Sequence, residues 1–221
     1  MKSMELFVHS FVFNKKEENS YLLWNEAGDC LVIDPGCATP EEEGVLTAFI
    51  AENNLLPRAI LLTHGHFDHV AGVPFVMQRY GCGCWVHSAE EGELELSRTI
   101  AHVYGFERVE AFQVNHYDEE GALLNWGGMG LRVLHIPGHT EGSSCLYMEQ
   151  GPYLFAGDAL IKGSLGFVNN GYAEVLAHLE QKVYPLPDET VIYYGHGPSS
   201  TLGEEKVSNR FFKRMKQDGA E

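Results

Sequence analysis

Basic residues are scarce in this chain. Lys and Arg together number 15 against 31 Asp and Glu, leaving a formal net charge of -16 with histidine neutral. Nucleic acid is held by clustered Lys and Arg that neutralise its phosphates, so this balance excludes it as an expected partner. Long apolar runs are missing as well, and nothing approaches the roughly 20 residues that a membrane-spanning helix needs. The opening segment, Met1-Lys2-Ser3-Met4-Glu5-Leu6-Phe7-Val8-His9-Ser10-Phe11, interrupts its apolar run with a histidine and lacks a small-residue cleavage site. It reads as a first strand rather than an export signal, and the expectation is a cytoplasmic protein with no membrane partner.

Cysteine is limited to Cys30, Cys37, Cys82, Cys84 and Cys145, an odd number without repeated metal-type spacing. A chain of 221 residues can bury a core without covalent staples, so free thiols are expected. Cys82-Gly83-Cys84 lacks the two-residue gap of a thioredoxin-like pair and reads as core packing or a tight turn. Repeats, low-complexity tracts and long Pro, Gly or Ser linkers are also absent. Residues 1-221 therefore read as a single domain.

What the chain does hold is a concentration of metal-binding side chains. Thr63-His64-Gly65-His66-Phe67-Asp68-His69 places three imidazoles and a carboxylate within six positions, directly after the apolar run Ala59-Ile60-Leu61-Leu62. Residues two apart at a strand end project to one side, so His64 and His66 can grip one ion while Asp68 and His69 turn toward another. Gly65 is expected to supply a tight turn. The same arrangement recurs downstream, where buried-strand patterns run into Gly138-His139-Thr140, Gly157-Asp158 and Gly195-His196-Gly197. One His or Asp after a glycine is ordinary turn chemistry. Several at strand ends together form a site for metal, with two ions as the expected number.

A coarse reading gives strands near Leu6 to Phe13, Ser20 to Trp24, Cys30 to Asp34, Leu131 to Ile136, Ser144 to Met148, Tyr153 to Phe155 and Val191 to Tyr194. A further core strand is expected to run as far as His64. Helices are expected from Thr39-Pro40, with Val45, Leu46, Phe49 and Ile50 on its apolar face, from about Val70 to Arg79, and from Ala89 to Tyr104. The acidic clusters Glu41-Glu42-Glu43, Glu90-Glu91 and Glu204-Glu205 read as solvated helix starts. Asp34, beside Pro35-Gly36, is placed either to support a ligand histidine or to cap a turn. His135, four residues before His139, falls on the same strand-to-loop segment. His9, His87, His102, His116 and His178 lack the setting of the ligands.

With these residues in view, the chain resembles the metallo-β-lactamase superfamily, whose His-x-His-x-Asp-His pattern followed by a separate His, Asp and His is matched position by position. The likeness extends from Asn19-Ser20-Tyr21-Leu22-Leu23 and Leu31-Val32-Ile33-Asp34-Pro35-Gly36 to Gly195-His196-Gly197-Pro198. Gly157-Asp158-Ala159-Leu160, Lys162-Gly163-Ser164-Leu165-Gly166 and the stretch from His196 to Gly203 resemble its glyoxalase II-like, or hydroxyacylglutathione hydrolase-like, branch. That branch continues from Gly-Ser-Leu/Ile-Gly into Arg-Thr-Asp, whereas here Phe167-Val168-Asn169-Asn170-Gly171-Tyr172 follows. Its larger members also carry a C-terminal basic helical domain, while this chain ends soon after Lys213-Arg214-Met215-Lys216.

The resemblance implies an α/β four-layer αββα sandwich with the metal site at one edge. It assigns His64, His66 and His139 to one ion, Asp68, His69 and His196 to the other, and Asp158 to both, with Asp68 as catalytic residue. Nitrogen and oxygen donors of this kind suit zinc, and iron and manganese share them. The expected activity is hydrolysis of a small-molecule thioester by a metal-held hydroxide. A mononuclear iron persulfide dioxygenase and a lactonase are the alternatives on the same scaffold. A β-lactamase would be expected to bring an export signal, and nuclease members carry an added domain for which the length leaves no room.

Overall fold

The structure, a computed structural model, describes residues 4–107, 109–118, 120–168 and 171–213. Asn169-Asn170 of the divergent loop and Arg214-Met215-Lys216 lie outside the described residues. Among those described, two six-stranded sheets form the centre. The first holds, in spatial order, β1 (Leu6–Phe13), β2 (Glu18–Asn25), β3 (Asp29–Ile33), β4 (Leu56–Leu61), β5 (Gly83–Val86) and β6 (Asn115–His116). The second contains β7 (Leu123–Trp126), β8 (Met129–His135), β9 (Ser144–Met148) and β10 (Tyr153–Gly157). A small hairpin, β11 (Leu160–Ile161) with β12 (Ser164–Leu165), precedes β13 (Val191–Tyr194) and β14 (Ser200–Thr201), which complete the second sheet beside β10.

The alternation of side chains explains the layering. On β2, β3 and β4 one set, Leu23, Leu31, Ile33 and Leu61, meets Leu131, Val133, Leu146 and Phe155 of the opposite sheet. The alternate set, Leu22, Val32 and Ile60, faces outward against Leu46 and Ile50 of α1 (Pro40–Glu52). These strands are buried on both faces, which is why they read as continuous apolar runs. In the second sheet Leu134, Cys145, Leu154 and Ile192 pack against Val175 and Leu179 of the helix Tyr172–Lys182. The result is the αββα sandwich, three apolar layers between four structural ones. All five cysteines are free and buried in it.

Several expectations from the sequence need correction. β4 stops at Leu61 rather than reaching His64. Beyond it the Thr63 amide turns to the Asp34 side chain, while the Thr63 carbonyl accepts the Ser144 amide of the other sheet. The helix expected from Val70 is two, α2 (Phe67–Val70) and α3 (Val73–Tyr80). Pro74 cannot continue an earlier helix, and Gly72 donates instead to the Pro35 carbonyl. The stretch from Ala89 is a 3-10 turn, Ser88–Glu90, then α4 (Glu91–Ile100), then a second 3-10 turn, Ala101–Tyr104. The remaining helices are α5 (Tyr172–Lys182) and α6 (Leu202–Ser208). Val45 lies outside the apolar face of α1 and is 54% exposed.

Nor are the acidic clusters uniformly solvated. Glu205 is buried, accepting hydrogen bonds from the Ser200 hydroxyl, the Gly163 amide and the Asn209 side chain. Glu42 binds the amides of Asn14 and Ala38. Glu90 is fully buried as well. Thr39 caps α1 through the Glu42 amide at 3.3 Å, as its position before Pro40 predicts. Among the described residues no helix is long and apolar enough to cross a membrane.

The layer between the sheets sets their separation, so its largest aliphatic and aromatic members should be costly to remove. Phe155, 1% exposed, stacks on Tyr193 and meets Tyr21 edge-on. Phe155→Ala is expected to destabilise the fold by about 3–5 kcal/mol in urea unfolding. A loss below about 1 kcal/mol would contradict a close-packed layer at this point.

Candidate metal centre

The site forms where the loops after β4, β8, β10 and β13 meet at one edge of the sandwich. After a bend at Thr63, His64, Gly65 and His66 form an irregular link in which His66 is extended, and α2 then starts at Phe67, carrying Asp68 and His69 on its first turn. Gly65 does not make the tight turn expected of it, since it lies in neither a turn nor a bend and has no positive φ. Its lack of a side chain instead admits Glu90, whose carboxylate a Cβ would approach to 3.0 Å. Gly157 and Gly138 do take φ of +49° and +152°, conformations that free the chain to present Asp158 and His139. Gly195 is needed for space, because a Cβ there would collide with the Asp158 carboxylate and approach the His69 ring to 2.7 Å.

Two groups of donor atoms result. One comprises His64, His66, His139 and Asp158; the other comprises Asp68, His69 and His196. His66 Nδ1 lies 3.1 Å from His64 Nε2 and 3.0 Å from His139 Nε2. One proton can serve only one of these pairs, whereas three imidazole nitrogens around a tetrahedral Zn²⁺ with about 2.05 Å bonds stand about 3.3 Å apart. Asp158 spans the groups, with its oxygens 3.5 Å from His139 Nε2 and His196 Nε2 and 3.6 Å from His69 Nε2. His196 Nε2 is 3.4 Å from Asp68. The buried atoms His69 Nε2 and Asp158 Oδ1 have no hydrogen-bond partner. Orphaned donors of this kind, converging from nitrogen and oxygen ligands, fit a divalent cation.

The far nitrogen of each histidine is engaged, which sets the ring orientation. His69 Nδ1 meets Asp34 Oδ2 at 3.1 Å, and His64 Nδ1 meets the Thr63 hydroxyl at 3.0 Å. His139 Nδ1 faces the Phe167 carbonyl at 2.8 Å, His196 Nδ1 faces the Lys16 carbonyl at 3.1 Å, and His66 Nε2 lies 3.4 Å from Glu93. Asp34, His64 and His69 also form a geometrically compact trio. Asp34 already accepts the Thr63 amide and hydroxyl at 2.7 and 2.6 Å, so its oxygens are committed to orienting the loop. The choice left open by the sequence thus resolves toward support of a histidine. His135 stays apart, stacked on His87 at 4.1 Å and bound to the Glu141 carbonyl.

Glu18, Glu90, Glu93 and Thr63 were not singled out as site residues by any pattern. Glu18 is fully buried, with one oxygen on the Ser20 hydroxyl and the other 3.9 Å from His69. The only sequence signal for it is adjacency to Asn19-Ser20.

The electrostatics separate donors by neighbourhood. Burial, reinforced by the other imidazoles, holds His64 well below its ordinary range. Burial and then His139 push His66 down to about 4. His69 goes the other way: burial opposes its protonation, but the carboxylates of Asp158, Asp34 and Asp68 outweigh it. Asp68 is held below the ordinary carboxylate range because His196 and His69 overcome its burial. His64 and His69 are buried, whereas the side chains of His66 and His196 are 28% and 30% exposed, so the centre opens on one side. A groove of about 660 Å³, lined by Glu93, Leu96 and Gly171 among others, borders the donor set at His139.

Fold and donor set together are those of the metallo-hydrolase superfamily. The chain belongs to the metallo-beta-lactamase superfamily, whose family model matches residues 15–196. The hydroxyacylglutathione hydrolase GloC of Haemophilus influenzae is 32% identical over 200 residues, covering 88% of this chain and 92% of its own. The solved structure of TTHA1623 in a di-iron-bound form is 33% identical with a TM-score of 0.80, covering 92% of this chain and 99% of that one. The BLEG-1 B3 metallo-beta-lactamase structure is 29% identical with a TM-score of 0.84, over 93% and 99% of the two chains.

The shift on His66 has a consequence for the metal-stripped protein. An imidazole of the unfolded chain takes up its proton near pH 6.5, but folded His66 does so near 4. Between those values the unfolded state binds more protons, so His66 makes stability fall as the pH is lowered through that window. Urea unfolding in the presence of a chelator at pH 7 and pH 5 should show a smaller pH-dependent loss for His66→Gln than for wild type. Equal losses would refute the assignment of a depressed His66.

Proposed function

We propose that this protein is a dinuclear-metal-dependent thioester hydrolase of the hydroxyacylglutathione hydrolase type, with residues 1–221 acting as one catalytic domain. The observation that carries the reading is the pair of donor groups joined by Asp158, with a groove that reaches them at His139. His64, His66 and His139 would hold one divalent cation and Asp68, His69 and His196 the other, with Asp158 between them. Zinc is our choice, and the di-iron form of TTHA1623 keeps iron in view. Bound there, two such ions would supply a hydroxide at neutral pH and polarise a substrate carbonyl.

The protein's own residues do the rest. Asp34, through His69 Nδ1, keeps Nε2 turned to the centre. The Phe167 and Lys16 carbonyls do the same for His139 and His196. Asp68, ionised at neutral pH and 3.4 Å from His196, is the catalytic carboxylate that orients the nucleophile's proton. The groove beside His139 gives the acyl and thiol portions a path to the open face. A thiolate, with an ordinary pKa of about 8.5, departs without a strong general acid.

Metal-replete protein is expected to hydrolyse S-lactoylglutathione, and Asp68→Ala, assayed at saturating metal, to lower kcat/KM by roughly 10²–10⁴-fold. Wild-type turnover that persists in a metal-replete Asp68→Ala variant would sink the mechanism. A single iron per chain with oxygen consumption on a persulfide would instead select the dioxygenase reading.

A further inference from the structure

Each donor group is tied across the two sheets by its own buried side chain. Glu90 closes the 3-10 turn before α4, and none of its surface is exposed. One of its oxygens accepts the Gly65 amide at 2.6 Å, and the other accepts the Gly142 amide at 2.6 Å. Gly65 separates His64 from His66 at the end of the first sheet's β4. Gly142 lies three residues after His139, in the loop between β8 and β9 of the second sheet. Neither glycine has a positive φ. Both make room: a Cβ at Gly65 would come 3.0 Å from the Glu90 carboxylate, and one at Gly142 would come 2.7 Å from Glu90 Cγ.

Asn19 holds the other group in a separate place. Its amide donates to the Gly195 carbonyl at 2.7 Å, and its side chain donates to the carbonyls of Tyr194 and Gly197 at 3.0 and 2.7 Å. These bonds fasten the segment bearing His196 to β2 of the first sheet. No hydrogen bond is shared between the two clamps.

We infer that Glu90 is a positioning residue that sets the spacing of His64, His66 and His139, and with it the affinity of that ion position alone, while Asn19 sets the position that includes His196. The inference rests on the two-ion reading above. Two N–H groups converge on Glu90, and a carboxylate satisfies both because it has acceptors on both oxygens. Glu90→Gln has nearly the same volume but points an NH₂ at one of those amides, so one loop loses its anchor and the three nitrogens lose their common centre. Glu90→Asp keeps the charge but shortens the reach, and cannot serve both amides at once.

The test is a titration of metal-stripped protein with Zn²⁺ against a chromophoric chelator, repeated with Co²⁺ to read the coordination spectrum of each equivalent. Wild type is expected to take two ions per chain. In Glu90→Gln and Glu90→Asp one equivalent should weaken by roughly 10–100-fold while the other keeps its affinity and spectrum. Asn19→Ala should weaken the opposite equivalent. Both equivalents unchanged in the Glu90 variants, or both weakened alike, would overturn the inference. So would loss of the folded state, seen by circular dichroism, in both Glu90 variants. A folded wild type that takes fewer than two ions overturns the dinuclear reading, and the division of labour falls with it.

Discussion

The donor atoms come from both sheets and must meet within a few ångströms at one edge, and that demand governs the sandwich. His64, His66, Asp68 and His69 hang from the end of β4, while His139, Asp158 and His196 follow β8, β10 and β13. The sheets cannot slide independently, because Leu31, Ile33 and Leu61 interdigitate with Leu131, Leu146 and Phe155. A relative shift of about 1 Å would separate contacts that now lie at 3.0 to 3.6 Å. The apolar layer is thus part of the site's geometry as well as the source of the fold's cohesion.

This arrangement concentrates unfavourable features in one place. Asp34 adopts a φ of +46°, rare for a residue with a side chain, and three donors over-determine it: the Thr63 amide, the Thr63 hydroxyl and His69. Glu18, His69 and Asp158 each leave a buried polar atom without a partner. A fold selected only for stability would replace such groups with apolar ones. Their persistence beside seven converging donors is the conflict expected where structure yields to function.

The sequence makes the centre legible because its chemistry is local. Thr63 to His69 compresses four donors into one loop, and the glycines before His139, Asp158 and His196 mark the other strand ends. The αββα architecture came with the resemblance, and the alternating burial of Leu22 and Leu23, or Ile60 and Leu61, gives its physical basis. What stayed hidden depends on long-range partners. Glu90 reads as a helix-start acid beside Glu91 until the two distant glycines are brought to it. Gly65 looks like a turn residue until the Glu90 carboxylate occupies the space where its side chain would be. The break between α2 and α3 was foreshadowed by Pro74, but the bond from Gly72 to Pro35 is a tertiary fact.

The charge states of the site bear on which leaving group it can serve. An amine expelled from an amide must be protonated as the bond breaks, so an amidase needs a group that carries a proton at neutral pH and faces the scissile bond. Asp68 is held as a carboxylate by His196 and His69, and burial keeps His64 and His66 in their neutral forms. Protonation of His69 is favoured by three carboxylates, but its Nδ1 is engaged by Asp34 and its Nε2 is one of the donors facing Asp158, so coordination would displace that proton. Asp68, His64 and His66 thus carry no proton to deliver to a departing nitrogen, and His196, whose protonation Asp68 and Asp158 favour, would like His69 give up its proton on coordination. A leaving group that departs as a stable anion avoids the requirement, and the thiolate of a thioester is such a group, which is the physical basis of the thioester hydrolysis proposed above.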